Sequence, residues 1–159
     1  MRRGNPRFYL VVGVAIGLAG LVGGTVVAPK ASASTSSRVA YVAYVVDGDT
    51  VRLKSGRYVR LIGYDTPESG RRYYGKAKRS LDNFIPAGGR IKLVNPSSTD
   101  DADHYGRMLR YVRVSGRDAG VRLIRQGYGH ARYDSRDGYD WHPMQPTYRR
   151  IDANTKNLW

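Results

Sequence analysis

The sequence predicts a small α+β domain of five strands and about three helices, preceded by an apolar N-terminal segment. Three observations lead there. Short β-rich runs bounded by turn residues occupy residues 38–64 and 90–114. Each group of strands is followed by a stretch whose apolar residues recur at helical spacing. Ahead of both lies Phe8 to Ala28, a run of 21 residues without a charge. The order of three strands, a helix and two strands fits a five-stranded OB-fold barrel.

The N-terminal segment reads as an export signal. Arg2, Arg3 and Arg7 precede the apolar run, and Ala31-Ser32-Ala33 supplies a small-x-small cleavage site. Residues 1–33 are thus a signal peptide cut after Ala33, or a signal anchor that stays in the bilayer. The run is long enough to span one, and Gly13/Gly17 and Gly20/Gly24 have the spacing of a transmembrane helix contact. In either case the rest of the chain lies outside the cell, secreted or membrane-anchored. Removing residues 1–33 takes Lys+Arg from 27 to 23 against 13 acids, leaving a net charge of +10. Such a charge draws polyanions, although many soluble proteins are equally basic. The absence of cysteine excludes a disulfide scaffold and a thiolate metal site.

Residues 34–37 form a linker, and the domain is expected over residues 38–159. Arg38 to Val46 and Thr50 to Leu53 are the first two strands, flanking an Asp47-Gly48-Asp49 corner. Lys54 to Arg57 is a hairpin turn, and Tyr58 to Tyr64 is the third strand. Tyr74 to Ile85 is a helix with Ala77, Leu81 and Phe84/Ile85 on one face, stopped by Pro86 and Gly88-Gly89. Arg90 to Val94 and Met108 to Val114 are strands four and five. Asp118 to Gln126 is a second helix with Val121, Ile124 and Arg125 toward the core and Gly127 as its stop. Gly138 to Pro146 is loop, and Tyr148 to Leu158 a third helix.

Three segments concentrate the chemistry: Asp47-Gly48-Asp49-Thr50, Arg60 to Glu68, and Tyr105-Gly106-Arg107. Carboxylates at strand ends hold a hard cation through oxygen. Arginines grip a phosphate in fork geometry. A remaining carboxylate can activate water. Together these are the requirements of metal-assisted phosphodiester hydrolysis. Taken alone, Asp-Gly-Asp is also an ordinary turn.

The chain resembles the staphylococcal nuclease family from about Val39 to the C-terminus. The resemblance rests on Val46 to Val51, Arg60-Leu61, Asp65-Thr66-Pro67-Glu68, Tyr74-Gly75, Asp103, Tyr105-Gly106-Arg107, Leu123 to Gly127 and Asn157-Leu158-Trp159. It implies an OB-fold nuclease that uses Ca²⁺ to hydrolyse DNA and RNA, leaving 3′-phosphates. The implied Ca²⁺ ligands are Asp49, Asp65 and the Thr66 carbonyl. Arg60 and Arg107 are the implied phosphate clamps, and Glu68, the chain's single glutamate, the implied general base. Tyr133 corresponds to a tyrosine packing near the nucleotide. A second family tyrosine is replaced by Ser135, and the loop after Glu68 is short, leaving Arg71 and Arg72 as candidate substrate contacts. His104 stands where the family often carries lysine and is a further candidate.

Asp100 to Asp103 and Asp134 to Asp140 lack EF-hand spacing. The first reads as a solvated turn with Asp103 bracing the Tyr105-Gly106-Arg107 corner, the second as a flexible loop. Two other functions compete with the nuclease: a catalytically inactive OB-fold module that binds nucleic acid, and a surface-anchored protein binding acidic envelope polymers. A monomer is expected.

Overall fold

The computed structural model describes residues 35–159 except Ala87. The expected export segment, residues 1–33, lies outside the described residues, as does Ser34. The elements follow in chain order: β1 (Ser36–Val45), β2 (Thr50–Leu53), β3 (Tyr58–Leu61), β4 (Tyr64–Asp65), α1 (Tyr74–Phe84), β5 (Arg90–Asn95), β6 (Met108–Val114), β7 (Arg117–Asp118), α2 (Ala119–Arg125), β8 (His130–Ala131) and α3 (Gln145–Ala153). A 3₁₀ turn covers Ser135–Asp137.

The five long strands close into the expected barrel. β1 is antiparallel to β2 through its second half and to β5 through its first, with a bulge between Val42 and Tyr44. A bulge bends a strand and increases its twist, which lets β1 serve both sides of the barrel. β2 pairs with β3, and β5 with β6. Parallel pairing of β3 with β6, Val59 against Met108 and Arg60 against Leu109, completes the closure. Alternation along the strands sends Val51, Val59, Leu61, Leu93, Met108 and Val112 into the barrel, where all are buried. α1 covers one end with Ala77, Ser80, Leu81 and Phe84.

Four expectations need correction. β1 starts at Ser36, so Ser36 and Ser37 are strand rather than linker. The third strand stops at Leu61, because Gly63 takes φ +85° and turns the chain into β4, which pairs with β8. A Cβ at Gly63 would come within 2.6 Å of the His142 ring and 2.8 Å of Tyr148, so both conformation and space demand glycine there. In α2 the core-facing residues are Ala119, Gly120, Leu123 and Ile124, whereas Arg125 is exposed. Asp118 caps this helix by accepting the Val121 N–H at 3.2 Å. The third helix is displaced toward the N-terminus. Pro146 sits in its first turn, where a missing N–H has no cost, and Leu158 and Trp159 lie beyond its end.

Candidate functional site

The β1–β2 corner is built by its own side chains. Asp47 Oδ1 accepts the Asp49 N–H at 3.0 Å, and the Val46 N–H donates to the Thr50 carbonyl at 2.9 Å. Asp47 thus shapes the turn, as its place before Gly48 predicts. The buried Tyr64 hydroxyl donates to the Gly48 carbonyl at 3.0 Å and ties the corner to β4.

This corner presents Asp49, 6% exposed, to a ring of donors. Its Oδ2 accepts the Thr66 N–H at 3.0 Å and the Thr66 hydroxyl at 2.8 Å. Its Oδ1 accepts the Thr50 hydroxyl at 3.2 Å and meets Arg60 Nη1 at 2.5 Å. Arg60 reaches it because β3 pairs Arg60 with Thr50, while the neighbours Val59 and Leu61 turn into the core. The other guanidinium arm, Nη2, donates to Asp65 Oδ1 at 3.1 Å. One arginine therefore bridges two carboxylates, and Tyr133 lies against it at 5.5 Å. Burial pushes the Asp49 carboxyl up to about 7, against the opposing pull of Arg60.

Arg107 enters from the turn before β6. Asp103 Oδ1 accepts the backbone N–H groups of Tyr105 and Arg107, at 3.0 and 2.9 Å, and its Oδ2 takes Arg107 Nε at 2.7 Å. Asp103 thus braces this corner as expected, and Arg107 holds its carboxyl below the usual carboxylate range despite partial burial. Glu68 is exposed, carried past the buried Pro67.

These segments surround one cavity of about 510 Å³. Asp49, Arg60, Asp65, Glu68, His104, Arg107 and Tyr133 all line it. Thr66 stands behind Asp49 and does not line it. Arg71 and Arg72 are exposed and do not line it either, and Arg72 lies over the Tyr73 ring at 4.8 Å. His104 stacks on Tyr105 with ring centres 3.8 Å apart.

Sequence reasoning missed one wall. Residues 134–140 are organised rather than flexible. Asp134, fully buried, accepts from Arg149 Nε at 2.7 Å and Nη2 at 2.8 Å, and Asp137 accepts from the same Nη2 at 2.7 Å. The hold fixes Tyr139, whose ring meets Tyr133 edge-on at 5.3 Å. Tyr139 thereby places a second aromatic ring beside Tyr133 on the cavity wall. His142, 1% exposed, completes the wall and shares a 2.9 Å hydrogen bond with the Tyr111 hydroxyl. The separation in sequence between Arg149 and the two aspartates hid this arrangement.

The cavity is acidic within a basic domain. Seven carboxylates line it (Asp47, Asp49, Asp65, Glu68, Asp100, Asp103 and Asp140) against two arginines, Arg60 and Arg107. An anionic ligand meets net repulsion there unless a cation offsets it. The oxygen donors, with no thiolate among them, are of the kind a hard divalent ion takes, although among the described residues no three acidic or histidine side chains are grouped to hold a metal ion.

The staphylococcal nuclease homologue family profile matches residues 58–159. A thermonuclease of Staphylococcus intermedius is 30% identical over 139 residues, covering 82% of this chain and 81% of the relative. A thermonuclease of Staphylococcus hyicus is 27% identical over 124 residues, 72% of either chain. The SPbeta prophage-derived endonuclease YokF of Bacillus subtilis is 29% identical over 96 residues, 55% of this chain and 32% of that longer protein. On the strength of the family match over residues 58–159 and of the Staphylococcus intermedius relative, the chain belongs to the staphylococcal nuclease homologue family.

Proposed function

We propose that this protein is a nuclease that hydrolyses phosphodiester bonds of DNA and RNA with Ca²⁺ as cofactor. One observation carries the reading: Arg60, Arg107 and Glu68, from three separate segments, converge with Asp49 and Asp65 on one cavity. The relatives named thermonuclease and endonuclease support it.

The two arginines are oriented before substrate arrives. Arg60 is held by Asp49 and Asp65, Arg107 by Asp103. Each keeps further N–H donors for phosphate oxygens. Negative charge on those oxygens is greatest in the pentacoordinate transition state, so preoriented donors lower the barrier. Losing one such donor costs on the order of 10²–10³ in rate. Glu68, exposed at the rim, takes the proton from the attacking water. Scission that leaves a 3′-phosphate releases the 5′-oxygen. Tyr133 and Tyr139 offer aromatic faces to a base without sequence preference, and His104 lines the phosphate path. Arg71 and Arg72, outside the cavity, meet only the continuing backbone.

Asp49, Asp65 and the Thr66 carbonyl would hold Ca²⁺, with Thr66 also fixing the Asp49 carboxylate through its amide and hydroxyl. When bound, Ca²⁺ supplies positive charge that offsets the acidic lining and polarises the phosphoryl oxygen. The leader sequence supports export, either secreted or anchored, and the domain acts as a monomer. The inactive binding module is the second reading. The complete set of Asp49, Arg60, Asp65, Glu68 and Arg107 disfavours it.

The test is incubation of the protein with single-stranded DNA and with RNA, in Ca²⁺ or in excess chelator, followed by mass analysis of the ends. Fragments ending in 3′-phosphate, formed only with Ca²⁺, support the proposal. Intact substrate in Ca²⁺ overturns it.

A further inference from the structure

A second concave surface has the opposite charge. A groove of about 610 Å³ is lined by Arg113, Arg117, Arg122 and Arg125, with Asp118 as its single acid, and by the apolar Phe84, Val121 and Met144. Arg117 and Arg122 lie over the Phe84 ring at 5.7 and 5.8 Å. Arg122 Nε is committed to the Ser80 carbonyl and hydroxyl at 3.3 and 3.2 Å, which fixes the side chain and leaves its terminal nitrogens free of those bonds. Arg113 pairs with Asp118 at 3.5 Å. Arg117 and Arg125 are exposed.

The two concave surfaces are neighbours on one face of β6. Leu109 lines the acidic cavity and Arg113 lines the basic groove. Residues two apart on a strand share a face, so Leu109, Tyr111 and Arg113 stand in one row. Their ends are about 13 Å apart at ~3.3 Å per residue. Tyr111, between them, is covered by His142 and Met144, bonding the former at 2.9 Å and accepting the N–H of the latter at 3.3 Å. His142 lines the first cavity and Met144 the second. The segment from His142 to Met144 therefore forms the ridge that separates them, with Trp141 half-exposed beside it.

From this we infer that the arginine groove is a non-catalytic extension of the substrate path, which holds the phosphate backbone of a single-stranded nucleic acid several nucleotides from the bond that is cut. The inference builds on the nuclease reading. It explains how a domain with an acidic catalytic cavity captures a polyanion: the attraction comes from arginines beyond the ridge. At 3.4 Å per phosphate along a stacked strand, the 13 Å row corresponds to roughly four nucleotides. That lies within the ~4–16 nucleotides that one such barrel covers. A nucleic-acid strand is favoured over a membrane surface because Arg113 shares a row on β6 with Leu109 of the catalytic cavity and the arginines stand against an apolar wall of Phe84, Val121 and Met144.

The test compares wild type with Arg117→Ser/Arg125→Ser, both exposed positions whose replacement leaves the melting temperature in place. Binding of a roughly 20-nucleotide single-stranded DNA is followed by fluorescence anisotropy in excess chelator across a salt series. Cleavage of the same DNA and of a dinucleotide is followed in Ca²⁺. The expected result is several-fold weaker binding of the long strand and a salt slope smaller by about 1.4, at ~0.7 per lost phosphate contact. KM for the long strand rises while kcat and the dinucleotide rate stay unchanged. Arg117→Lys/Arg125→Lys keeps most of the affinity. Unchanged affinity and slope in the serine variant overturn the inference. So does unchanged DNA binding beside weakened binding to vesicles of anionic lipid, measured with the same variant, which assigns the groove to a membrane surface. If wild type binds DNA but never cleaves it, the nuclease reading falls. A weakened serine variant in that same case still assigns the groove to nucleic acid.

Discussion

Arg149 and Asp134 are joined by two hydrogen bonds, Nε to Oδ2 at 2.7 Å and Nη2 to Oδ1 at 2.8 Å, and the aspartate is fully buried. The pair pins residues 134–139 to α3 and so sets the aromatic wall of the candidate site. Replacing Arg149 by Leu leaves a buried carboxylate without its counter-charge. The expected loss is about 3–5 kcal/mol of stability, measured by denaturant titration, with weaker binding of nucleotide at Tyr133 and Tyr139. Unchanged stability would contradict the assignment of this pair as the wall's fastening.

Gly48 is the point where the β1–β2 corner touches α1. A Cβ there would lie 2.7 Å from Thr66 Oγ1 and 2.8 Å from the Ala77 Cβ. Gly48→Ala is expected to cost about 1–3 kcal/mol through overpacking. Because Thr66 is the group displaced, it also loosens Asp49. Calorimetry gives the first effect and a Ca²⁺ titration of activity the second, which should shift to higher concentration. A variant as stable and active as wild type would show that the corner relaxes freely.

His142 makes stability pH-dependent. Burial holds its imidazole down at about 4, from an ordinary value near 6.5. The unfolded chain therefore binds a proton between pH 6.5 and 4 that the folded chain refuses. The resulting stability is present above pH 6.5 and is lost as pH falls toward 4, by up to about 3 kcal/mol. His142→Gln, able to keep a partner for Tyr111, should flatten melting temperature against pH in this window. An equally steep profile in the variant would assign the acid sensitivity elsewhere.

The C-terminus contributes less than an apolar ending implies. Leu158 is half-buried and its N–H donates to the Gly127 carbonyl at 3.2 Å. Trp159 is 39% exposed and meets His130 edge-on at 4.8 Å. Deleting both should cost about 1–2 kcal/mol, below the 3–5 kcal/mol of a core aromatic truncation. A loss at the core scale in thermal unfolding would mean that the tail packs more tightly than its exposure implies.

The barrel and the converging residues were legible because their signals are local. Period-two runs, a turn at Ser55-Gly56 and the helical face Ala77, Leu81 and Phe84 each declare themselves within a dozen residues. Asp49, Arg60, Asp65 and Arg107 sit at strand ends and turns, where motif order marks them. The start of the third helix is hidden in the sequence because Pro146 reads as a breaker within a loop, although at a helix start it is tolerated. Ile62-Gly63 reads as strand in the sequence because the constraint on Gly63 comes from His142 and Tyr148, far along the chain. The Arg149 clamp, the Tyr133–Tyr139 pair and the row from Leu109 to Arg113 that joins two concave surfaces are tertiary. No short window of sequence contains them.

The central claim, that Glu68 acts on water in a cavity that also binds nucleic acid, is tested most directly by Glu68→Gln against wild type at one fixed salt concentration. DNA affinity and the cleavage rate in Ca²⁺ are measured on the same preparations. The account predicts that affinity stays within a few-fold, since the carboxylate attracts no phosphate, while the rate falls by roughly 10²–10⁴, the scale of a lost general base. Equal cleavage rates in the two proteins would contradict it.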